Sequence, residues 1–268
     1  MKVFSSRRLG WTVLWGYGFL VVAYLLTPLI VLVTMAFSAG GTMTFPPKGF
    51  SLMWFPAAIS INGLVGSFVV SLELALLSAF FSAVLGTIAA IAIANRRFRG
   101  KSLVTAFFLS PLIFPTIVVG VALLQYYRTL RYDNVFMTLL LGHIVVTIPY
   151  TIRTVTASLE VFDYTLLDAA RVLGADTLRT FREVMLPIIK PGVFSGAVFA
   201  FLISFDNYTV SMFLADAKNI TLPIRIYNYA EASIDPSVAA AATIMILVSV
   251  VLFVGMGRLI GVRGLSKI

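Results

Sequence analysis

The chain has 268 residues, 60% of them hydrophobic and only 12% charged, with a net charge of +9 and a mean hydropathy of +1.00. Soluble domains are nearer half apolar and a quarter charged, so the excess apolar surface requires a bilayer as its solvent. The absence of cysteine excludes disulfides, thiolate metal sites and a cysteine nucleophile, and a single histidine, His143, excludes a histidine-rich metal cluster.

A membrane-spanning helix needs about 20 largely apolar residues. Six windows meet that requirement: Trp11–Phe37, Gly63–Ala94, Leu103–Tyr127, Thr138–Ser158, Gly192–Leu214 and Ser237–Ile260. The first follows Lys2, Arg7 and Arg8 and is too long for a cleaved signal segment, despite the sequence Ala36-Phe37-Ser38. It is read as an uncleaved first helix. The second exceeds the hydrocarbon thickness and must tilt or project beyond it. His143, in the fourth window, reads as a polar residue near a helix end. Gly192, Gly196 and Ala200 form a small-residue stripe in the fifth, suited to close helix packing.

Six spans put both termini on one side. With the termini in the cytoplasm, the inner segments hold Lys2, Arg7, Arg8, Arg96, Arg97, Arg99, Lys101, Arg153, Arg171, Arg179, Arg182, Lys190, Arg258, Arg263 and Lys267. The outer segments hold Lys48, Arg128, Arg131, Lys218 and Arg225. This threefold bias follows the positive-inside rule and accounts for the basic charge without nucleic acid. Gly100-Lys101-Ser102 resembles the end of a phosphate-binding loop, but Asn95 stands where the first glycine is required. No strand precedes it, so Asn95–Ser102 reads as a basic turn and the chain itself holds no ATP.

The connection Leu159–Pro191 is polar but patterned. Leu159, Phe162, Leu166, Leu167 and Ala170 recur at helical spacing. Gly174 suits the left-handed position that ends a helix. Asp176 or Thr177 can cap a second short helix, with Leu178, Phe181, Val184 and Met185 on its apolar face and Arg179, Arg182 and Glu183 elsewhere. Pro187 and Pro191 are expected to close this unit. Two readings fit: an interfacial helix pair joining two spans, or a knob that fits another protein, because exposed apolar side chains on a compact turn need a partner.

The stretch Asp168-Ala169-Ala170, three residues, Gly174, nine residues, Val184-Met185-Leu186-Pro187 resembles the EAA loop of ABC importer permeases. It departs from that pattern in Asp168 for glutamate and Val184 for isoleucine. The resemblance implies an all-α type I importer fold: six transmembrane helices with a cytoplasmic coupling-helix loop between the fourth and fifth. It covers nearly the whole chain as one permease domain, 1–268, with a core of roughly 60–260 after a first helix and external loop (1–59). The loop residues Asp168, Ala169, Ala170, Gly174, Ala175, Leu178, Arg179, Phe181, Arg182, Leu186 and Pro187 would then dock a cytoplasmic ATPase. Phe45-Pro46-Pro47, Gly49-Phe50-Ser51 and Trp54 resemble the spermidine/putrescine-type permeases. So do Ser204-Phe205-Asp206-Asn207, Thr221-Leu222-Pro223, Ile226-Tyr227 and Asp235-Pro236. Within that group the chain looks like the second of two permease subunits. Relatives also carry ferric iron and other organic solutes.

Two carboxylates fall within predicted spans, Glu73 and Asp206, both in the outer half. Each costs on the order of 2–4 kcal/mol against lipid, so each should face protein or a wet cavity. They suit a cationic amine, with Asn207 and Tyr208 adding polar and aromatic contacts. Alternatively, Asp206 caps a helix break at Ser204–Asn207, and Glu73 pairs with a neighbouring helix or subunit.

The resemblance implies a bacterial inner-membrane importer with two ATPases, a second homologous permease and an extracytoplasmic substrate-binding protein. ATP and Mg would be held by the ATPases. No cofactor, metal or catalytic residue is expected in this chain. An ion-coupled secondary transporter is the rival class, but it calls for inverted repeats and more intramembrane carboxylates.

Overall fold

The computed structural model describes residues 3–95 and 98–259. Lys2, Arg96, Arg97, Arg263 and Lys267 of the charge count lie outside them, as does Ile260 at the end of the sixth predicted span.

The elements run α1 (Val3–Ala36), α2 (Trp54–Ile59), α3 (Leu64–Asn95), α4 (Lys101–Leu109), α5 (Thr116–Thr129), α6 (Val135–Glu160), α7 (Thr165–Val172), α8 (Thr177–Thr180), α9 (Leu186–Phe205), α10 (Thr209–Leu214), α11 (Leu222–Ala232) and α12 (Ser237–Leu259). Among the described residues five helices are long and apolar enough to cross a membrane, and six when α4 and α5 count as one bent span. Helix is what lipid demands, because every backbone polar group must find its partner within the segment.

The third predicted span is therefore corrected. Leu103–Tyr127 is not one rod: α4, a 3-10 turn at Ser110–Leu112 and α5 meet at 102°. Pro111 and Pro115 cause the break. Pro115 sits in an extended conformation just before α5, and the residue ahead of a proline is driven from helical geometry.

Two compact units are present. The first comprises residues 1–62 and 226–248. Its core is small: Ala36, Ala58, Ala239, Ala240 and Ala241 are buried, allowing close backbone approach. The external loop predicted from Phe45 to Trp54 is tied to the end of α1. The Trp54 indole N–H donates to the Ser38 carbonyl at 2.9 Å, and Phe50 stacks on Phe37 with centroids 5.3 Å apart.

The second unit comprises residues 63–225 and 249–268. In it α3, α6 and α9 pack against one another, and α5 packs against α10. Small residues permit this. A Cβ at Gly196 would meet Thr154 Oγ1 at 2.6 Å and Thr151 Cα at 2.7 Å, and one at Gly192 would collide with the Ser158 hydroxyl. The predicted stripe is thus a packing face. Hydroxyls replace apolar groups inside the contact: buried Ser82 and Thr147 bond at 2.7 Å between α3 and α6.

The fifth span also differs from its predicted limits, Gly192–Leu214. A continuous helical rod runs from Thr177 to Phe205, through α8, a π-helical turn at Phe181–Met185 and α9. Pro187 does not end the docking unit; it lies within the rod, in the first turn of α9 directly after the π-helical turn. Pro191 is accommodated inside α9.

Gly196→Ala should lower the thermal unfolding midpoint of the detergent-solubilised chain, because overpacking a tight contact costs about 1–3 kcal/mol. Gly66→Ala, on α3 with nothing within 4 Å of the added methyl, should leave it unchanged.

Candidate functional site

The loop between α6 and α9 is built from capped pieces. α6 ends at Glu160, so the predicted amphipathic helix from Leu159 is interrupted before α7 begins at Thr165. Asp163 stands in that interruption and accepts from the Thr165 hydroxyl at 2.7 Å and its N–H at 3.0 Å. These bonds hold the Asp163 carboxyl below the usual carboxylate range. The support they give this turn is present above the ordinary carboxylate pKa and is lost as pH falls through the lowered one.

α7 ends in a Schellman motif. Gly174, at φ +86°, donates its N–H to the Arg171 carbonyl at 2.9 Å, and the Ala175 N–H reaches back to Ala170 at 3.0 Å. No atom lies within 4 Å of a Cβ placed on Gly174, so backbone conformation alone demands glycine there. Asp176 then caps α8, accepting from the Arg179 N–H at 2.7 Å. Arg171 pairs with Asp168 at 3.2 Å and Arg179 with Glu183 at 3.1 Å, all exposed.

The apolar residues divide in two. Leu167 and Met185 are buried with Leu159, Phe162 and Ile189, and Phe181 and Val184 pack against them. Ala170 is buried, Leu186 half-buried, and Asp168, Ala169, Arg182 and Pro187 exposed. Most of the apolar face expected to await a partner is therefore satisfied within the chain. What remains open is Leu166 on α7 and the tip: Val172 and Leu173 are each 87% exposed, and Leu178 is 56% exposed. Sequence reasoning does not single out Val172 and Leu173, although apolar residues flanking a left-handed glycine are a signal for them.

The second candidate lies at the other end of α9. The helix stops at Phe205, Asp206–Tyr208 are non-helical, and α10 resumes at Thr209. Asp206 ends α9 with its N–H on the Leu202 carbonyl at 3.1 Å, and its side chain is exposed in this chain. Asn207 accepts the Val210 N–H at 2.9 Å and thereby caps α10. That fixes its carbonyl oxygen and leaves its amide hydrogens for another partner. Tyr208 is half-buried. Glu73 lies exposed on α3, and among the described residues neither Glu73 nor Asp206 forms an ion pair.

His143 is not near a helix end. It sits well inside α6, 1% exposed, with Nδ1 2.7 Å from Ser204 Oγ on α9 and Nε2 2.9 Å from Ser211 Oγ on α10. Ser211 in turn donates to the Asn207 carbonyl at 2.6 Å. No one-dimensional pattern connects these residues, which are 61 and 68 positions apart. Among the described residues no group of three or more His, Cys, Asp or Glu is placed to hold a metal.

Its apolar spans and its family match make the chain a multi-pass membrane permease subunit of an ABC importer. The chain belongs to the family described as binding-protein-dependent transport system inner membrane component, whose model matches residues 82–263. It is 35% identical over 239 residues to the spermidine/putrescine transport system permease protein PotC of Haemophilus influenzae, covering 89% of this chain and 93% of that one. Against PotC of Escherichia coli it is 31% identical, covering 89% and 90%. A bacterial ABC transporter involved in importing the acidic polysaccharide alginate shares the fold. Its TM-score is 0.71 at 18% identity, covering 94% of this chain and 97% of that one. The chain is a transport component rather than an enzyme.

Asp176→Ala removes the α8 cap and should cost about 1 kcal/mol. Amide hydrogen exchange across Leu178–Thr180 should then accelerate roughly fivefold, with α6 unaffected.

Proposed function

We propose that this chain is one of two homologous permeases in an ATP-driven importer of polyamines such as spermidine or putrescine. Both termini lie in the cytoplasm, and a substrate-binding protein delivers cargo from outside. The stretch Asp168–Pro187 docks a cytoplasmic ATPase. The observation that carries this reading is the tip itself: Gly174 at φ +86°, with Val172, Leu173 and Leu178 exposed around it. A patch so placed is an association surface. It fits a groove on a partner rather than lipid, because exposed Asp168, Arg171, Arg179 and Glu183 rim it. ATP-driven closure of the ATPase pair would push the tips together and rock the spans between inward- and outward-facing states.

Identity to two PotC proteins at 31% and 35% over most of the chain supports a polyamine cargo. So does the exposed Asp206 at the end of a span. A carboxylate there, without an ion pair among the described residues, suits a passing ammonium group. Glu73, Asn207 and Tyr208 serve the same pathway. The whole chain works as one permease domain.

Gly174→Val forces a β-branched residue into the left-handed region at roughly 1–2 kcal/mol. Co-purification of the ATPase should weaken about 5- to 30-fold and uptake should fall with it; survival of both would overturn the docking assignment. Asp206→Asn should raise the KM for putrescine uptake about 10- to 150-fold, the worth of a charged hydrogen bond of about 1.5–3 kcal/mol. Ligand binding by the partner receptor tests the cargo directly: preference for a neutral sugar or an anion would exclude polyamines.

A further inference from the structure

The rod Thr177–Phe205 ends at Asp206–Tyr208, and the short helix α10 that follows is not joined to α9 by helical hydrogen bonds across the gap. Something else must fix their mutual register, because unpaired backbone groups at membrane depth are costly. His143 is the group placed to do so. It reaches the last turn of α9 through Ser204 and the first turns of α10 through Ser211.

The direction of each bond comes from donor counting. The Ser211 hydroxyl hydrogen is committed to the Asn207 carbonyl, so Ser211 Oγ accepts from the ring at Nε2. Nδ1 then accepts the Ser204 hydroxyl, which is the neutral imidazole's complement of one donor and one acceptor. The result is a one-way chain of hydrogen bonds from Ser204 to His143 to Ser211 to the backbone of Asn207. It terminates in the interruption itself. Thr147 and Ser82 tie the other side of the same site: Thr147 donates to the His143 carbonyl at 2.7 Å and bonds Ser82 of α3, also at 2.7 Å. α3 and α6 thus form a fixed frame, and the histidine holds both sides of the gap to it.

We propose that His143 is a positioning residue for transport: its ring clasps the end of α9 to α10 and sets the presentation of Asp206–Tyr208 to the substrate. This rests on the assignment of Asp206–Tyr208 to the substrate pathway. α9 also packs along α6, so the contact to α10 is the one that fixes the gap. An asparagine at this position places its amide only near the Nδ1 site, and a glutamine only near the Nε2 site. The clasp onto α10, and through Ser211 onto Asn207, survives in His143→Gln and is lost in His143→Asn and His143→Leu.

The chain has no cysteine, so two introduced thiols can carry spin labels without background from this subunit. Phe199 on α9 and Met212 on α10 are both exposed and flank the gap. In the assembled importer, the Phe199→Cys/Met212→Cys pair should give one narrow distance distribution. His143→Leu and His143→Asn should broaden or shift it, and His143→Gln should restore most of it. Putrescine uptake should keep the same order, with KM rising severalfold in the Leu and Asn variants while the rate of ATP hydrolysis per assembled complex holds. An unchanged label distance in His143→Leu overturns the clasp. So does an equal loss of assembled complex in all three variants with unchanged KM in what remains, since that is a histidine needed only for folding. A shifted distance with unchanged KM in every variant upholds the clasp and overturns the pathway assignment of Asp206–Tyr208 instead.

Discussion

The constraint on which everything else depends is the poverty of hydrogen-bonding partners in a bilayer. A backbone amide at that depth must be paired within its own segment, which makes helix the default and every departure from helix an event needing local compensation. The break at Asp206–Tyr208 shows how the compensation is made. Asn207 caps α10, Ser211 takes up the Asn207 carbonyl, and His143 satisfies two serines at once. The break between α4 and α5 is handled more simply, by prolines that have no N–H to satisfy and by a 3-10 turn that tightens the end of α4.

The same constraint explains which features can be read from the chain alone. Hydropathy over about 20 residues measures how much apolar surface a segment must hide, so it finds spans well. It is blind to where a helix bends or continues. Leu103–Tyr127 passes the test although Pro111 and Pro115 fold it by 102°, and the rod Thr177–Phe205 is cut short because its first turns are polar. Local chemistry is legible too. Gly174 and Asp176 act within three or four residues of themselves, and both adopt the expected conformation and bond. The small-residue stripe at Gly192 and Gly196 is visible because helical spacing places such residues on one face.

What escapes is long-range and polar. His143 looks peripheral in sequence because nothing in its immediate neighbours announces a partner, yet both its nitrogens are engaged by residues more than sixty positions away. The apolar loop residues escape in the opposite sense. Periodicity identifies Phe181, Val184 and Met185 correctly as one face but cannot say that α3 and α6 already cover it. The tip residues Val172 and Leu173 stay open because they stand at the end of α7, past the Leu167 and Ala170 face that is buried.

The π-helical turn and the uninterrupted run from Thr177 to Phe205 have a mechanical consequence. At about 1.5 Å per residue the 29-residue rod is about 43 Å long. It begins in the capped loop and stops at the interruption beside Asp206, so it is a lever arm between the two. A tilt of about 10° about one end of such an arm displaces the other by about 7 Å. That is more than the width of an ammonium group. A single wide-radius turn near its base, at Phe181–Met185, is where such an arm can yield without snapping its ladder.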